Sequence, residues 1–331
     1  MRVPTRYRPL LASIGVFVLL YAAAAWRYES FFTFRVFFNL LSDNSVLGIV
    51  AIGETLVILS GGIDLSVGAV MSASSVIAGL LIMDLHWPPA LAFGVTLTLG
   101  TALGLGQGAL IHFVGIRPFI ATLAGMFFAR GLGLILHLES ISITHPFYQL
   151  LARMVVVGPL GTLPLTGVVE IAIFLAVFLV AAYVSLFTGF GRNLFALGGS
   201  EDAALLMGLP LGRTKLTAYA ASGFCAALGG VVLTIYLFSG SHIEGIGMEL
   251  DAIAATVIGG TLLTGGVGSV FGTLVGVLII GTILTVITTY GIRYHGHELV
   301  VTSGMTKVFI GVLLLLFVLL QRLLTRRGVR T

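Results

Sequence analysis

Ten apolar runs divide the chain: Leu10–Trp26, Ser45–Ser60, Leu65–Met83, Pro88–Val114, Ile116–His137, Pro164–Leu186, Thr214–Phe238, Leu250–Thr264, Val267–Tyr290 and Val300–Gln321. At about 1.5 Å of rise per residue, most are long enough to cross about 30 Å of hydrocarbon as tilted helices. Ser45–Ser60 and Leu250–Thr264 are short, and each stops at a glycine pair, Gly61-Gly62 and Gly265-Gly266. The pattern predicts an all-α polytopic membrane protein of about ten transmembrane helices, two of them short and broken by Gly-Gly. Residues 1–331 read as a single transmembrane domain.

The chain is organised around the stretch from Gly53 to Gly68. Gly61 and Gly62 allow backbone angles that a helix interior does not hold, and Asp64 follows between two membrane-buried runs. A carboxylate at that depth costs about 2.5–3.5 kcal/mol on insertion scales. A break plus a charge is tolerated only where protein or water surrounds it. A tight corner with Asp64 capping the next helix accounts for the geometry, and a corner facing a pathway or partner is the sharper reading. Ser60–Gly68 also lines up with Thr264–Gly272 at an offset of 204, so a pseudo-repeat links the two halves. Gly-broken short spans at matching places in two halves point to a transporter's substrate site.

Composition supports the membrane reading. The chain is 58% hydrophobic and 9% charged, with mean hydropathy +1.12, more apolar surface than a soluble domain of 331 residues can hide. The 44 glycines suit close helix contact in lipid. With one cysteine, Cys225, no internal disulfide and no paired-cysteine site can form.

Charge sets the orientation. With the N-terminus inside, cytoplasmic segments hold 11 of the 17 basic residues, outer loops hold 4, and Arg130 and Lys307 lie inside spans. The positive-inside rule therefore places both termini in the cytoplasm, which an even number of crossings satisfies. Basic residues before the first run and the small residues Ala22–Ala25 also admit a cleaved signal peptide; a retained anchor helix gives the same topology without cleavage.

The largest inner loop, Phe187–Arg213, holds a capped short helix. Ser200 is a sound N-cap, Glu201 and Asp202 complement the helix dipole, Ala203 and Ala204 continue the helix, and Gly208 with Pro210 ends it. A linker helix on the membrane surface explains this segment as well as a helix that docks in another protein's groove. Other chemistry is missing. Neither lysine sits in a phosphate-cradling G-x-x-x-x-G-K-[ST] loop, and there is no H-E-x-x-H metal spacing or G-x-S-x-G elbow. No cofactor, no metal and no ATPase site of its own is expected.

Four motifs carry a family resemblance: V-I-L-S-G-G-I-D-L-S-V-G (57–68), T-L-A-G-M-F-F-A-R-G (122–131), G-R-N-L-F-A-L-G-G (191–199), and L-D-A-I-A-A-T-V-I-G-G-T-L-L-T-G-G-V-G-S-V-F-G-T (250–273). With these the chain resembles the permease subunits of ribose/galactose/xylose-type sugar ABC importers. Within that family it is most similar to galactofuranose importer permeases, through Thr144-His145-Pro146 in the outer loop and the L-D-A-I-A opening of the eighth run.

The resemblance implies a bacterial inner-membrane location, an ABC ATPase subunit, a second, homologous permease subunit sharing the pore, and a periplasmic sugar-binding protein. It also implies that residues 187–213 carry the ATPase-coupling helix, with Gly199, Ser200, Glu201, Asp202, Ala203, Ala204 and Gly208 as its residues. Asp202-Ala203-Ala204 with Gly208 fits the family's E-A-A-x-x-x-G pattern, with Asp in place of Glu, which leaves the register open.

The candidate pathway or corner residues are Glu54, Gly61, Gly62, Asp64, Arg130, Asp251, Gly265 and Gly266. Family members often carry Met or Gln where Glu54 stands. Glu54 is either a bundled hydrogen-bonded carboxyl or a pathway residue. Arg130 needs an acid or carbonyl partner, with Glu54 or Asp64 available. Glu249 and Asp251 cap the short eighth run or meet the delivery protein. The rival function is an ion-coupled secondary transporter with Glu54, Asp64 or Asp251 as its ion site.

Overall fold

A computed structural model of the chain describes residues 8–158, 161–290, 292–294, 297–299, 307–317 and 319. The terminal arginines at positions 2, 6, 322, 326, 327 and 330, used above for orientation, lie outside them. Helices follow in order: α1 Arg8–Arg27, α2 Phe34–Asp43, α3 Ser45–Leu59, α4 Val67–Met83, α5 Pro89–Ala109, α6 Pro118–Leu136, α7 Pro146–Arg153, α8 Leu165–Phe187, α9 Gly189–Gly199, α10 Glu201–Leu206, α11 Leu211–Leu237, α12 Met248–Ile258, α13 Val270–Thr285 and α14 Lys307–Phe317. Starts follow local chemistry. Pro89, Pro118 and Pro146 open α5, α6 and α7, where a missing N–H costs nothing. Thr188 and Ser269 accept from the third amide of α9 and α13, at 3.4 and 3.0 Å.

Each of the ten apolar runs contains a described helix. Among the described residues, six helices are long and apolar enough to cross a membrane alone, or seven if α2 and α3, bent by 53° at Asn44, form one span. The sequence reading gave α2 no element of its own. The short helices sit at the centre: every residue of α3 is buried, as a helix apolar on all sides should be. At 11 residues, α12 is about 16 Å long, half the hydrocarbon thickness.

The long helix α11 is the spine, packed on α3, α4 and α5. Gly100, Gly104 and Gly108 recur every fourth residue along α5, and a Cβ at any of them would strike α11 at Ala227, Gly223, Tyr219 or Leu216. Close backbone approach replaces side-chain interlocking there. α1, α5, α6 and α8 lie outside and expose Leu19, Leu99, Phe127, Ile135 and Leu179, a surface suited to lipid.

After α11 the chain turns back along α4. β1 (Ile141–Ser142) pairs antiparallel with β4 (Ser239–Gly240), the Ser241 amide donates to Ser75 Oγ at 3.1 Å, and Gly245 lies against Ser72 and Gly68. Residues 239–247 thus run down α4 toward its amino end, and α12 starts there. Two hairpins, β2 (Val155–Gly158) with β3 (Gly161–Pro164) and β5 (Ile292–Tyr294) with β6 (His297–Leu299), complete the strands described.

Candidate functional site

The Asp64 corner is a buried polar cluster. Asp64, 1% exposed, accepts at Oδ1 from the Ser66 amide (2.9 Å) and hydroxyl (2.6 Å), and at Oδ2 from the Ser222 hydroxyl of α11 (2.8 Å). Three donors, each worth about 1.5–3 kcal/mol toward a charged acceptor, offset the burial cost set out above. The Asp64 amide donates to Glu54 Oε1 at 3.2 Å, so the two acids hold opposite sides of one turn. Ser66 Oγ also lies 3.2 Å from Gln107 Oε1 on α5, but its single proton goes to the nearer Asp64. Gly62 is small because the Tyr219 hydroxyl occupies the space of a side chain.

Around this corner the glycine pairs meet. Gly61 and Gly265 both have φ +84°, and Gly266 has φ +71°. The Gly266 amide donates to the Leu59 carbonyl at 3.1 Å, joining the α3–α4 turn to the α12–α13 turn. Gly198, near the end of α9, seals the junction. A Cβ on it would collide with the Leu59 carbonyl and stand 2.5 Å from the Gly266 nitrogen. Helix α9 therefore ends on the meeting point of the two Gly-Gly turns, and α10 begins two residues after its end. Three hydroxyls tie the helices above: Thr55 lies 3.2 Å from Thr256 and 2.6 Å from Thr273.

The inner loop forms the expected capped helix. Ser200 Oγ accepts from the Ala203 amide at 3.3 Å, and Gly208, with φ +71°, ends the turn after α10. Lys215 on α11 bridges Glu201 at 2.6 Å. Ala204 turns inward onto Leu197 and Leu211, whereas Ala203, Leu205, Leu206 and Met207 face outward, with Leu206 89% exposed.

Arg130 pairs with neither Glu54 nor Asp64. Its Nη2 donates to Glu249 Oε1 at 3.0 Å: α6 touches the Asp64 turn at Thr122, whose hydroxyl lies 3.3 Å from the Ile63 carbonyl, and Arg130 stands two turns further along α6, where the side chain of Glu249 reaches it. Asp251, two residues along α12, bridges Lys307 of α14 at 2.5 Å. Both acids stand in the first turn of α12 and bind cations from other helices. In the outer loop, His145 Nδ1 accepts from the Phe147 amide at 3.2 Å and caps α7. Tyr148 donates to or accepts from Thr234 at 2.8 Å, and burial pushes its phenol up to about 12, so it stays neutral.

Sequence reading brought Asp64, Glu54 and the glycine pairs forward, and the structure brings them together. It missed Gln107, Ser222, Tyr219 and Gly198. The first three are lone polar groups in long apolar runs, a signal that was present but unranked; Gly198 was one glycine among 44.

Comparison with known proteins agrees with this architecture. The family described as "Branched-chain amino acid transport system / permease component" matches residues 36–318. The chain is 44% identical to the inner membrane ABC transporter permease protein YjfF of Escherichia coli (strain K12), over 97% of this chain and 93% of that protein. It is 36% identical to the fructose import permease protein FruG of Bifidobacterium longum (strain NCC 2705), over 95% and 90%, and 39% identical to the ribose import permease protein RbsC of Haemophilus influenzae (strain ATCC 51907 / DSM 11121 / KW20 / Rd), over 80% of each. The chain belongs to this permease family. Within it, the chain is a sugar ABC importer permease of the ribose/galactose/xylose type, a transport subunit without an ATPase site of its own.

Proposed function

We propose that the chain forms half of the membrane pore of an ATP-driven monosaccharide importer, with galactofuranose as the sugar. The single observation that supports coupling best is the capped α10, held by Lys215 and displaying Leu205, Leu206 and Met207 at one end of the bundle. Family membership implies an ATPase subunit and a sugar-binding protein. A second, homologous permease completes the pore. The galactofuranose assignment rests on Thr144-His145-Pro146 and the L-D-A-I-A opening of residues 250–254.

In this reading α10 sits in a groove of the ATPase through Ala203, Leu205, Leu206 and Met207, while Ala204 anchors it to its own bundle. Nucleotide-driven movement of α10 then passes through α9 to the junction of Gly61, Gly198 and Gly265. Ala203→Trp and Leu206→Asp are expected to release the ATPase during purification and lower sugar uptake at least tenfold, with the bundle still folded. A surface linker helix would tolerate either change within about 0.5 kcal/mol. If both variants hold the ATPase and transport normally, α10 does not couple.

The proposed topology has about ten crossings, with the short α3, α4 and α12 completing spans in combination, one domain over 1–331, and both termini cytoplasmic. Reporter fusions after residue 330 and within Ile141–Tyr148 are expected to read opposite sides of the membrane. The same side for both would rule this topology out.

A further inference from the structure

The amino ends of α4 and α12 meet deep in the protein. A Cβ on Gly68, in the first turn of α4, would stand 2.6 Å from the Gly245 carbonyl and 3.1 Å from the Glu249 amide nitrogen. From there α4 rises toward β1 and β4, while α12 runs the other way toward Gly259 and the Gly-Gly junction. Gly68 lies 15 residues from the far end of α4 at Met83, so the meeting point is about 22 Å along the helix from it, a distance that lies within a hydrocarbon layer of about 30 Å.

Arg130 and Glu249 pair at this point, and His242 stands about one helical turn away, beside Gly133 on the turn of α6 that follows Arg130. Glu249, 8% exposed, has Oε1 on Arg130, while its Oε2 turns toward the first turn of α4 with no hydrogen-bond partner among the described residues. Arg130 Nε and His242 Nδ1 are likewise buried without a partner. His242 belongs to the segment descending along α4 and packs beside Gly133 of α6. Beyond them, the Lys307–Asp251 pair keeps the same face polar, with the Lys307 side chain 53% exposed. Ions at this depth do not face lipid; they face a water-filled path or another protein. Orphaned donors and acceptors at helix amino ends inside the bundle are the arrangement by which membrane transporters hold solutes.

We infer that Arg130, Glu249 and His242, at and beside the meeting of α4 and α12, form a station that hydrogen-bonds the hydroxyls of a neutral monosaccharide on its way through. This rests on the sugar-import reading above. The chemistry selects the ligand class. The Arg130–Glu249 pair carries no net charge and offers a free donor and a free acceptor side by side, matching adjacent sugar hydroxyls. A phosphorylated or acidic sugar would meet the Glu249 carboxylate.

The test uses the whole importer, with ATPase, second permease and binding protein, in proteoliposomes. His242→Ala, which removes no recorded hydrogen bond, is expected to change by fivefold or more the relative uptake of monosaccharides that differ at one hydroxyl. The charge-swapped double variant Arg130→Glu with Glu249→Arg keeps an ion pair, and is expected to assemble but lose at least tenfold in uptake. A purely structural pair predicts wild-type uptake for the swap. Wild-type sugar preference in His242→Ala, or wild-type transport in the swap, overturns the station alone. A wild-type importer that moves no monosaccharide with ATP overturns the sugar-import reading and the station with it.

Discussion

Gly198→Ala is expected to abolish transport and folded yield, while Gly199→Ala, one residue on, leaves both within twofold of wild type. The contrast follows from what a methyl group meets. At 198 it strikes the Leu59 carbonyl and crowds the Gly266 nitrogen, both backbone atoms of the two Gly-Gly turns. Backbone cannot rotate away as a side chain can, so the overlap separates α9 from the junction or breaks the Gly266–Leu59 hydrogen bond. Overpacking in a well-filled interior costs about 1–3 kcal/mol, and more where the neighbours are rigid. At 199 a Cβ has nothing within 4 Å. Thermal unfolding of the purified variants, read beside sugar uptake, measures both. Equal behaviour of the two alanines would mean that the junction is not a tight joint.

Asp64→Ala is expected to remove folded protein almost completely. The change orphans the Ser66 amide and the Ser222 hydroxyl, both buried, and leaves the Ser66 hydroxyl only the more distant Gln107 Oε1, at 3.2 Å. Each stranded donor costs about 1–3 kcal/mol, so the sum approaches the whole stability of many domains. Asp64→Asn should be milder, since its carbonyl oxygen still accepts from Ser66 and its amide can donate to Ser222. Glu54→Gln should be milder again, because a glutamine oxygen still takes the Asp64 amide. Yield and melting temperature in detergent should fall in the order Glu54→Gln, Asp64→Asn, Asp64→Ala. A stable, transporting Asp64→Ala would show that the corner does not depend on its carboxylate.

Much of this was legible in the sequence because membrane burial leaves coarse marks. Apolar runs located a helix in every expected place, and glycine pairs marked the two turns. The Ser200 cap with its acids marked α10, since capping is local chemistry between residues three apart. Partnerships across the bundle were not legible. Arg130 was 76 residues from Glu54 and 119 from Glu249, and only the path of 239–247 along α4 brings the second acid to it. Gly198 was hidden for the same reason: its constraint comes from backbone 139 residues before it and 68 after it, at Leu59 and Gly266. The inward turn of Ala204 follows from Leu197 and Leu211 closing over it, which the E-A-A-x-x-x-G spacing does not specify.

The most direct test of the account is uptake of a labelled monosaccharide into proteoliposomes holding this permease, its partner permease and the ATPase, with the binding protein on the side opposite the nucleotide site. Galactofuranose should accumulate only when ATP is supplied to the ATPase, and dissipating proton and sodium gradients should leave the rate unchanged. Uptake that persists without ATP and collapses with either gradient would contradict it.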